Sequence, residues 1–251
     1  QTSGIIGVHL WGRPCDTDAI GKVAAAHDLR VIYDAAHAIG CSHKGRMIGS
    51  FGDCEVFSFH ATKFINSFEG GAIVTNDDSL ARRLRLMRNF GFEGYDNVVY
   101  PGTNGKMTEI CAAMGLTSLE AIDEIVDINR RNHFAYQKGL RGLPGISLAQ
   151  FNHGERNNYQ YVVVEVDENE SGIGRDKLIE ILHRNEVLAR KYFWPGCHRM
   201  EPYRTSDPEA GRHLPQTIRV AERVVVLPTG QTIGEKQVDS ITKIIRDAVN
   251  A

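Results

Sequence analysis

The chain has 251 residues, of which 42% are hydrophobic and 24% charged. That is enough for one large domain or two smaller ones, and it excludes a disordered, collagen-like or disulfide-dense chain. Lysine and arginine total 29 against 31 aspartates and glutamates, a formal net charge of -2, so no surplus of positive charge points to nucleic acid or an acidic membrane as partner.

The five cysteines, Cys15, Cys41, Cys54, Cys111 and Cys197, are odd in number and show no Cys-x-x-Cys spacing. A reduced, cytoplasmic protein without a metal site is expected. No apolar run approaches the roughly 20 residues of a membrane span. The start, QTSGIIGVHLWG, lacks the basic end and apolar stretch of a signal peptide. Because a strand-like run begins almost at once, the chain is expected to open in the middle of a domain.

Ile5 to Leu10 is a short apolar run ended by Gly12 and Pro14, suited to a buried strand. Asp16 then precedes a helical stretch to about Asp28, and Arg30-Val31-Ile32-Tyr33 is a second apolar run stopping at Asp34. Strand, helix and strand at this length make a βαβ unit and predict a parallel sheet. Further strands are predicted at Glu55 to His60 and Gly71 to Thr75. Leu80, Leu84 and Met87 recur at helical spacing. After a polar passage from Phe90 to Lys106, a longer helical pattern runs from Thr108 past Leu116, Leu119, Ile122 and Ile125 toward Phe134. The turn Gly142-Leu143-Pro144-Gly145 ends it. Beyond lie a strand (Tyr159 to Val166), a helix (about Gly174 to Asn185), a strand (Val224 to Leu227) and a closing helix (Glu235 to Val249). The expected architecture is α/β: a large domain with a mostly parallel sheet over residues 1–140 and a smaller α+β domain over 141–251.

In parallel α/β sheets ligands sit beyond the carboxyl ends of the strands. Asp34 stands at one such end, before the small residues Ala35-Ala36. Ser58, His60 and Lys63 follow the strand that starts at Glu55, and Glu69-Gly70-Gly71 turns into the next. An acid, a hydroxyl and a lysine at successive strand ends suit pyridoxal phosphate: the amine forms a Schiff base, the carboxylate pairs with the pyridinium nitrogen, and the hydroxyl helps hold the phosphate. Each residue alone also has a plainer reading, the acid as a helix cap, the serine as a turn residue and the lysine as solvated surface.

Four ordered runs narrow the choice. Asp34-Ala35-Ala36-His37-Ala38-Ile39-Gly40, Phe57-Ser58-Phe59-His60-Ala61-Thr62-Lys63 after Gly52-Asp53, Glu69-Gly70-Gly71-Ala72-Ile73-Val74-Thr75, and Met107-Thr108-Glu109-Ile110 with Gly115-Leu116 resemble the DegT/DnrJ/StrS family of pyridoxal-phosphate-dependent aminotransferases acting on nucleotide-linked sugars. The resemblance runs from His9-Leu10-Trp11-Gly12 to Val226-Leu227-Pro228 and the last helix. It implies fold type I of the pyridoxal-phosphate transferases, like aspartate aminotransferase. It also implies that Lys63 is the Schiff-base lysine, that Asp34 pairs with the ring nitrogen, that Ala36 packs on the pyridine face, that His37 lies near the ring hydroxyl and that Ser58 binds the cofactor phosphate. Asn104 matches an asparagine that in relatives reaches the neighbouring subunit's cofactor phosphate, so a homodimer with shared active sites is implied.

His60, in Phe59-His60-Ala61, resembles members that aminate the sugar at C4, where many that act at C3 carry Tyr-Pro. A 4-keto-6-deoxy sugar nucleotide, dTDP-4-keto-6-deoxyglucose, is the implied acceptor, with L-glutamate as the amino donor and pyridoxamine phosphate as the alternate cofactor form. Tyr192 and His198, within Arg190-Lys191-Tyr192-Phe193-Trp194-Pro195-Gly196-Cys197-His198, fall in a stretch that resembles the surroundings of the sugar-nucleotide pocket. Family members also carry an N-terminal segment before the strand matching Ile5 to Leu10, which supplies a phosphate-binding helix start; the chain is therefore expected to be shorter than the family at its N-terminus. The alternatives are a 3-keto sugar aminotransferase and a non-catalytic, cofactor-binding or regulatory homologue. His37 and His60 as structural histidines, and Asn104 as a turn residue, are the competing residue-level readings.

Overall fold

In the computed structural model, which describes residues 2–251, the first apolar run forms β1 (Gly4–Val8) and the second forms β2 (Arg30–Asp34), with α1 (Thr17–His27) between them. Asp16 caps α1 by accepting from the Ala19 amide at 3.0 Å, and Asp28 ends it in the left-handed region at φ 51°. Next come a hairpin of β3 (Ser42–His43) and β4 (Arg46–Met47), then β5 (Cys54–Ser58) and β6 (Gly71–Val74). The sequence reading missed the hairpin, which closes through Lys44 and Gly45, both at positive φ.

The main sheet has the order β1-β2-β5-β6. β1, β2 and β5 are parallel, as predicted, but β6 runs antiparallel to β5. The reason lies in the connection: a parallel partner needs a crossover, normally a helix, and no helix lies between Ser58 and Gly71. One face of this sheet packs Val31, Tyr33 and Phe57 with α1 and the hairpin. The other presents Ile6, Ile32, Val56 and Ile73, of which Ile6 is 73% and Ile73 50% exposed. Asp34 emerges from that second face.

After α2 (Asp78–Arg88), the single long helix expected from Thr108 is two helices, α3 (Glu109–Glu120) and α4 (Ile122–Leu140). Ala121, at φ -92° and ψ 6°, interrupts them without a glycine or proline to mark the break. The chain divides into two units within α4. The first takes residues up to Val126 together with Phe151–Gln160, and the second takes Asp127–Gln150 with Tyr161–Ala251. The sequence reading put its boundary after residue 140. Residues 151–160 return to the first unit because Ser42 donates its amide to the Arg156 carbonyl at 2.9 Å, and Asn158 bonds the turn after β2.

The second unit holds β7 (Ile146–Leu148), β8 (Val162–Val166), α5 (Glu168–Ser171), α6 (Arg175–Arg184), α7 (Tyr203–Ser206), α8 (Pro215–Arg223), β9 (Val224–Leu227) and α9 (Glu235–Val249). Its antiparallel sheet, ordered β7-β8-β9, buries Val162, Val164 and Val225 against Leu178 and Leu182 of α6 and Val238, Ile241 and Ile245 of α9. No helix among the described residues is long and apolar enough to cross a membrane.

The first unit carries a histidine–carboxylate hydrogen bond in its interior. His9 Nε2 lies 3.0 Å from Glu55 Oε1, both side chains fully buried, and the His9 ring stacks on Tyr33 with centroids 5.0 Å apart. The other carboxylate oxygen, Glu55 Oε2, accepts from the amides of Gly49 and Phe51, at 2.5 and 2.8 Å. His9 Nδ1 accepts from the Cys15 amide at 3.2 Å. One carboxylate thus ties β5, the turn after β4 and the end of β1 together. Glu55→Ala would strand all of these donors away from water. With three donors left unsatisfied, it is expected to cost about 3–5 kcal/mol in urea unfolding, with Glu55→Gln milder; a loss below about 1 kcal/mol would show that the carboxylate holds little.

Candidate active site

Three backbone bonds fix the end of β2. The His9 amide donates to the Asp34 carbonyl at 2.9 Å, the Ala35 amide to Val56 at 2.9 Å, and the register pairs Asp34 with Val8 on one side and Val56 on the other. The chain then turns sharply, because Asp34 Oδ1 accepts from the Ala36 amide at 2.9 Å, an Asx turn. Asp34 Oδ2 has no hydrogen-bond partner among the described residues, and the residue is exposed. Ala36, half-buried, follows at once, so a flat group lying there would meet only a methyl.

Lys63 lies in the irregular stretch after β5, with its amide bonded to the His60 carbonyl at 2.9 Å and its carbonyl accepting from Asn66. The side chain is half-buried, and Nζ has no hydrogen-bond or ion-pair partner among the described residues. Desolvation therefore pulls its pKa below the usual lysine value, partly offset by the Asp34 carboxylate. An ammonium that has lost water and gained no partner is costly, and the cost falls when the group sheds its proton. A surface lysine without a partner would keep its water.

His37 is buried, and its Nδ1 accepts from the Trp11 amide at 3.2 Å. Desolvation pushes its pKa down to about 4; the Lys63 charge acts in the same direction and Asp34 opposes it. Asp34, His37 and Lys63 thus lie within one another's electrostatic reach. Ser58, at the end of β5, is half-buried and holds the His60 amide only loosely, at 3.4 Å. The structure brings these strand-end residues together on one edge of the first unit.

The other expected residues are placed as follows. His60 is exposed; Thr62 donates its amide (3.2 Å) and its hydroxyl (2.8 Å) to Nδ1, and Nε2 stands 3.4 Å from Glu69 Oε1. Asn104 lies in an exposed stretch, bridges Asn89 and accepts from Lys106 at 2.6 Å. No bond joins it to Asp34 or Lys63 within the chain. Tyr192 and His198 belong to the second unit. There Tyr192 stacks on Phe193 with centroids 3.8 Å apart beneath the Arg190 guanidinium, 4.7 Å from its ring, and His198 Nε2 is buried without a partner among the described residues.

Two residues near the site had no assigned role in the sequence reading. Trp11 is buried with its indole Nε1 lacking an acceptor among the described residues, and Asn158 donates Nδ2 to the carbonyls of His37 (2.9 Å) and Ile39 (3.0 Å). Trp11 lies in a strand-end motif and was a visible candidate. Asn158 is 121 residues from His37, and nothing local marks it.

The donor set fits pyridoxal phosphate: an amine unpartnered among the described residues, a carboxylate with one oxygen unused, a small residue beside the carboxylate and a hydroxyl at the next strand end. The α/β architecture is that of the fold type I pyridoxal-phosphate aminotransferases. It superimposes on the crystal structure of DesI in the presence of its TDP-sugar product with a TM-score of 0.92, at 52% identity over 99% of this chain and 62% of that one. The family model of the DegT/DnrJ/EryC1/StrS aminotransferase family matches residues 1–246, and the chain belongs to that family. It is 34% identical to a dTDP-4-amino-4,6-dideoxy-D-glucose transaminase of Shigella dysenteriae and 35% identical to one of Escherichia coli, in each case over 98% of this chain and 66% of the relative. The chain therefore spans about two thirds of the length of the curated relatives it matches. A structure of DesV from S. venezuelae matches with a TM-score of 0.90 at 30% identity.

Because the folded pKa of His37 lies below its ordinary 6.5, the unfolded chain takes up a proton between pH 6.5 and 4 that the folded chain refuses. The stability present above pH 6.5 is lost across that window, by about 3 kcal/mol at most. Urea unfolding in steps from pH 7 to 4 should show His37→Gln losing less stability over this window than the wild type; equal losses would place the His37 ring in water.

Proposed function

We propose that the chain forms the cofactor-binding core of an aminotransferase that moves an amino group from an amino acid, L-glutamate, to a keto sugar nucleotide, dTDP-4-keto-6-deoxyglucose. The observation that carries the proposal is Lys63, a half-buried, desolvated amine with no partner among the described residues that lies in the field of Asp34. When bound, pyridoxal phosphate supplies an aldehyde that an amine can capture and a ring that withdraws electrons.

The chain's own groups have the following roles. Lys63 Nζ, whose proton is loosened by desolvation, acts as nucleophile and then as the base and acid that moves a proton. Asp34, one oxygen held by its own turn, uses the other to favour a protonated ring nitrogen. Ala36 keeps one face of the pocket flat, and Ser58 gives a hydroxyl to the cofactor phosphate. His37 lies beside the ring oxygen. Asn104, in an exposed stretch, serves the neighbouring subunit in a cytoplasmic homodimer with shared sites. His60, Tyr192 and His198 contact the sugar nucleotide.

The names of the relatives support amination at C4, since two transaminases of a 4-amino-4,6-dideoxy sugar match at 34% and 35% identity. The Phe59-His60-Ala61 run agrees with that reading.

Incubation with pyridoxal phosphate, L-glutamate and dTDP-4-keto-6-deoxyglucose is expected to release 2-oxoglutarate together with an amino sugar. Lys63→Ala should abolish turnover. Asp34→Asn, which keeps an acceptor for the Ala36 amide, should lower the rate roughly 10²–10⁴-fold with stability changed by no more than about 0.5 kcal/mol. Turnover by Lys63→Ala at the wild-type rate would overturn the proposal, and amination of a 3-keto sugar in place of the 4-keto sugar would overturn its regiochemistry.

A further inference from the structure

We infer that Trp11 and Asn158 are positioning residues that set the tautomer of His37, so that the neutral ring carries its proton on Nε2 and acts as an obligate hydrogen-bond donor at the edge where Asp34 and Lys63 lie. The inference rests on the cofactor reading above for what the donor meets, but not for the tautomer itself.

A neutral imidazole has one donor nitrogen and one acceptor nitrogen. The Trp11 amide donates to Nδ1 at 3.2 Å, which makes Nδ1 the acceptor and leaves the proton to Nε2. Burial keeps the ring neutral at ordinary pH, so no second proton restores Nδ1 as a donor. The Trp11 amide can reach the ring because Trp11 itself sits in the left-handed region, at φ 56° and ψ 29°. Such a backbone strains a residue with a side chain, and it persists only where its surroundings enforce it.

The surroundings are on hand. Gly12 follows at φ 76°, and a Cβ there would stand 2.6 Å from Asn158 Oδ1 and 3.2 Å from the His37 carbonyl, so only glycine lets the Trp11 turn close on the His37 turn. Asn158, fully buried, spends both of its side-chain N–H groups and an oxygen lone pair on this junction: Nδ2 donates to the His37 and Ile39 carbonyls, and Oδ1 accepts from the Gln160 amide at 3.1 Å. The backbone on both sides of the imidazole is thus held by a side chain from a distant segment, while the ring nitrogen is held by the strained turn after β1. A clamp meant only to fasten the turn would have no need of the ring nitrogen.

The chemical consequence is selective. A fixed N–H at Nε2 favours an acceptor that bears no proton, an ionised ring oxygen over a hydroxyl. It acts in the same sense as Asp34 does at the ring nitrogen, since both stabilise the charge-separated form of the heterocycle.

The test uses the protein without cofactor, labelled with 15N-histidine. His37 is expected to show a pyridine-type Nδ1 and a pyrrole-type Nε2. Asn158→Ala, which frees the turn, should give a mixture of tautomers, and it should weaken pyridoxal phosphate binding roughly tenfold. His37→Gln, whose side-chain amide supplies a donor near the Nε2 position, should restore more of the cofactor affinity than His37→Ala. A protonated Nδ1 in the wild type overturns the inference without any variant, even if Asn158→Ala fails to fold. A folded Asn158→Ala with an unchanged tautomer overturns the role of Asn158. Because the tautomer is read in the absence of cofactor and in Lys63→Ala alike, failure of the aminotransferase reading would leave that result standing.

Discussion

The site depends on β2 being a central strand. With β1 and β5 parallel on either side, the carbonyl of Asp34 and the amide of Ala35 are both committed to neighbours, so the chain can leave the sheet only at one point and in one direction. Parallel neighbours also bring their own carboxyl ends to the same edge. Ser58 and then Lys63 follow β5 where Asp34 follows β2, although the residues are far apart in sequence. The convergence of an acid, a histidine and an amine follows from strand direction.

Two faces of that sheet carry opposite electrostatic arrangements. Beneath it, Glu55 and His9 are fully buried and partnered, each carboxylate oxygen and ring nitrogen met by a backbone amide or by the other side chain. Above it, among the described residues, Lys63 is desolvated without a partner and Asp34 keeps one oxygen unused. The first pattern belongs to structure, because polar groups that are all matched internally leave nothing unmet for a ligand. The second is what a reactive centre needs, since unmet charge is available to a ligand. His37 stands between the two: its ring is partnered on Nδ1 as a structural histidine would be, yet it lies in the field of both Asp34 and Lys63.

Much of this was legible in the sequence where the signal is local. Asp16 and Asp28 bracket α1, the apolar run before Asp34 is β2, and the last strand and helix match their predicted bounds. The motif order around Asp34 and Lys63 carried the family. What was missed depends on partners that sequence does not place. The antiparallel direction of β6 follows from a connection without a helix, and the hairpin from two residues at positive φ. The interruption at Ala121 has no breaker residue. The return of residues 151–160 to the first unit, and with it the clamp by Asn158, spans more than a hundred residues. His60 read as a specificity residue, and the structure adds that Thr62 and Glu69 already engage both of its ring nitrogens.

The central claim is that one amine, on Lys63, is set apart from the other lysine amines among the described residues by lost solvation and an absent partner. The most direct measurement is to incubate the protein with pyridoxal phosphate, reduce with borohydride, digest, and locate the pyridoxyl group by mass spectrometry. The account predicts that the label falls on the peptide containing Lys63 and is stoichiometric. A label spread over surface lysines such as Lys22 and Lys236, with Lys63 unmodified, would contradict it.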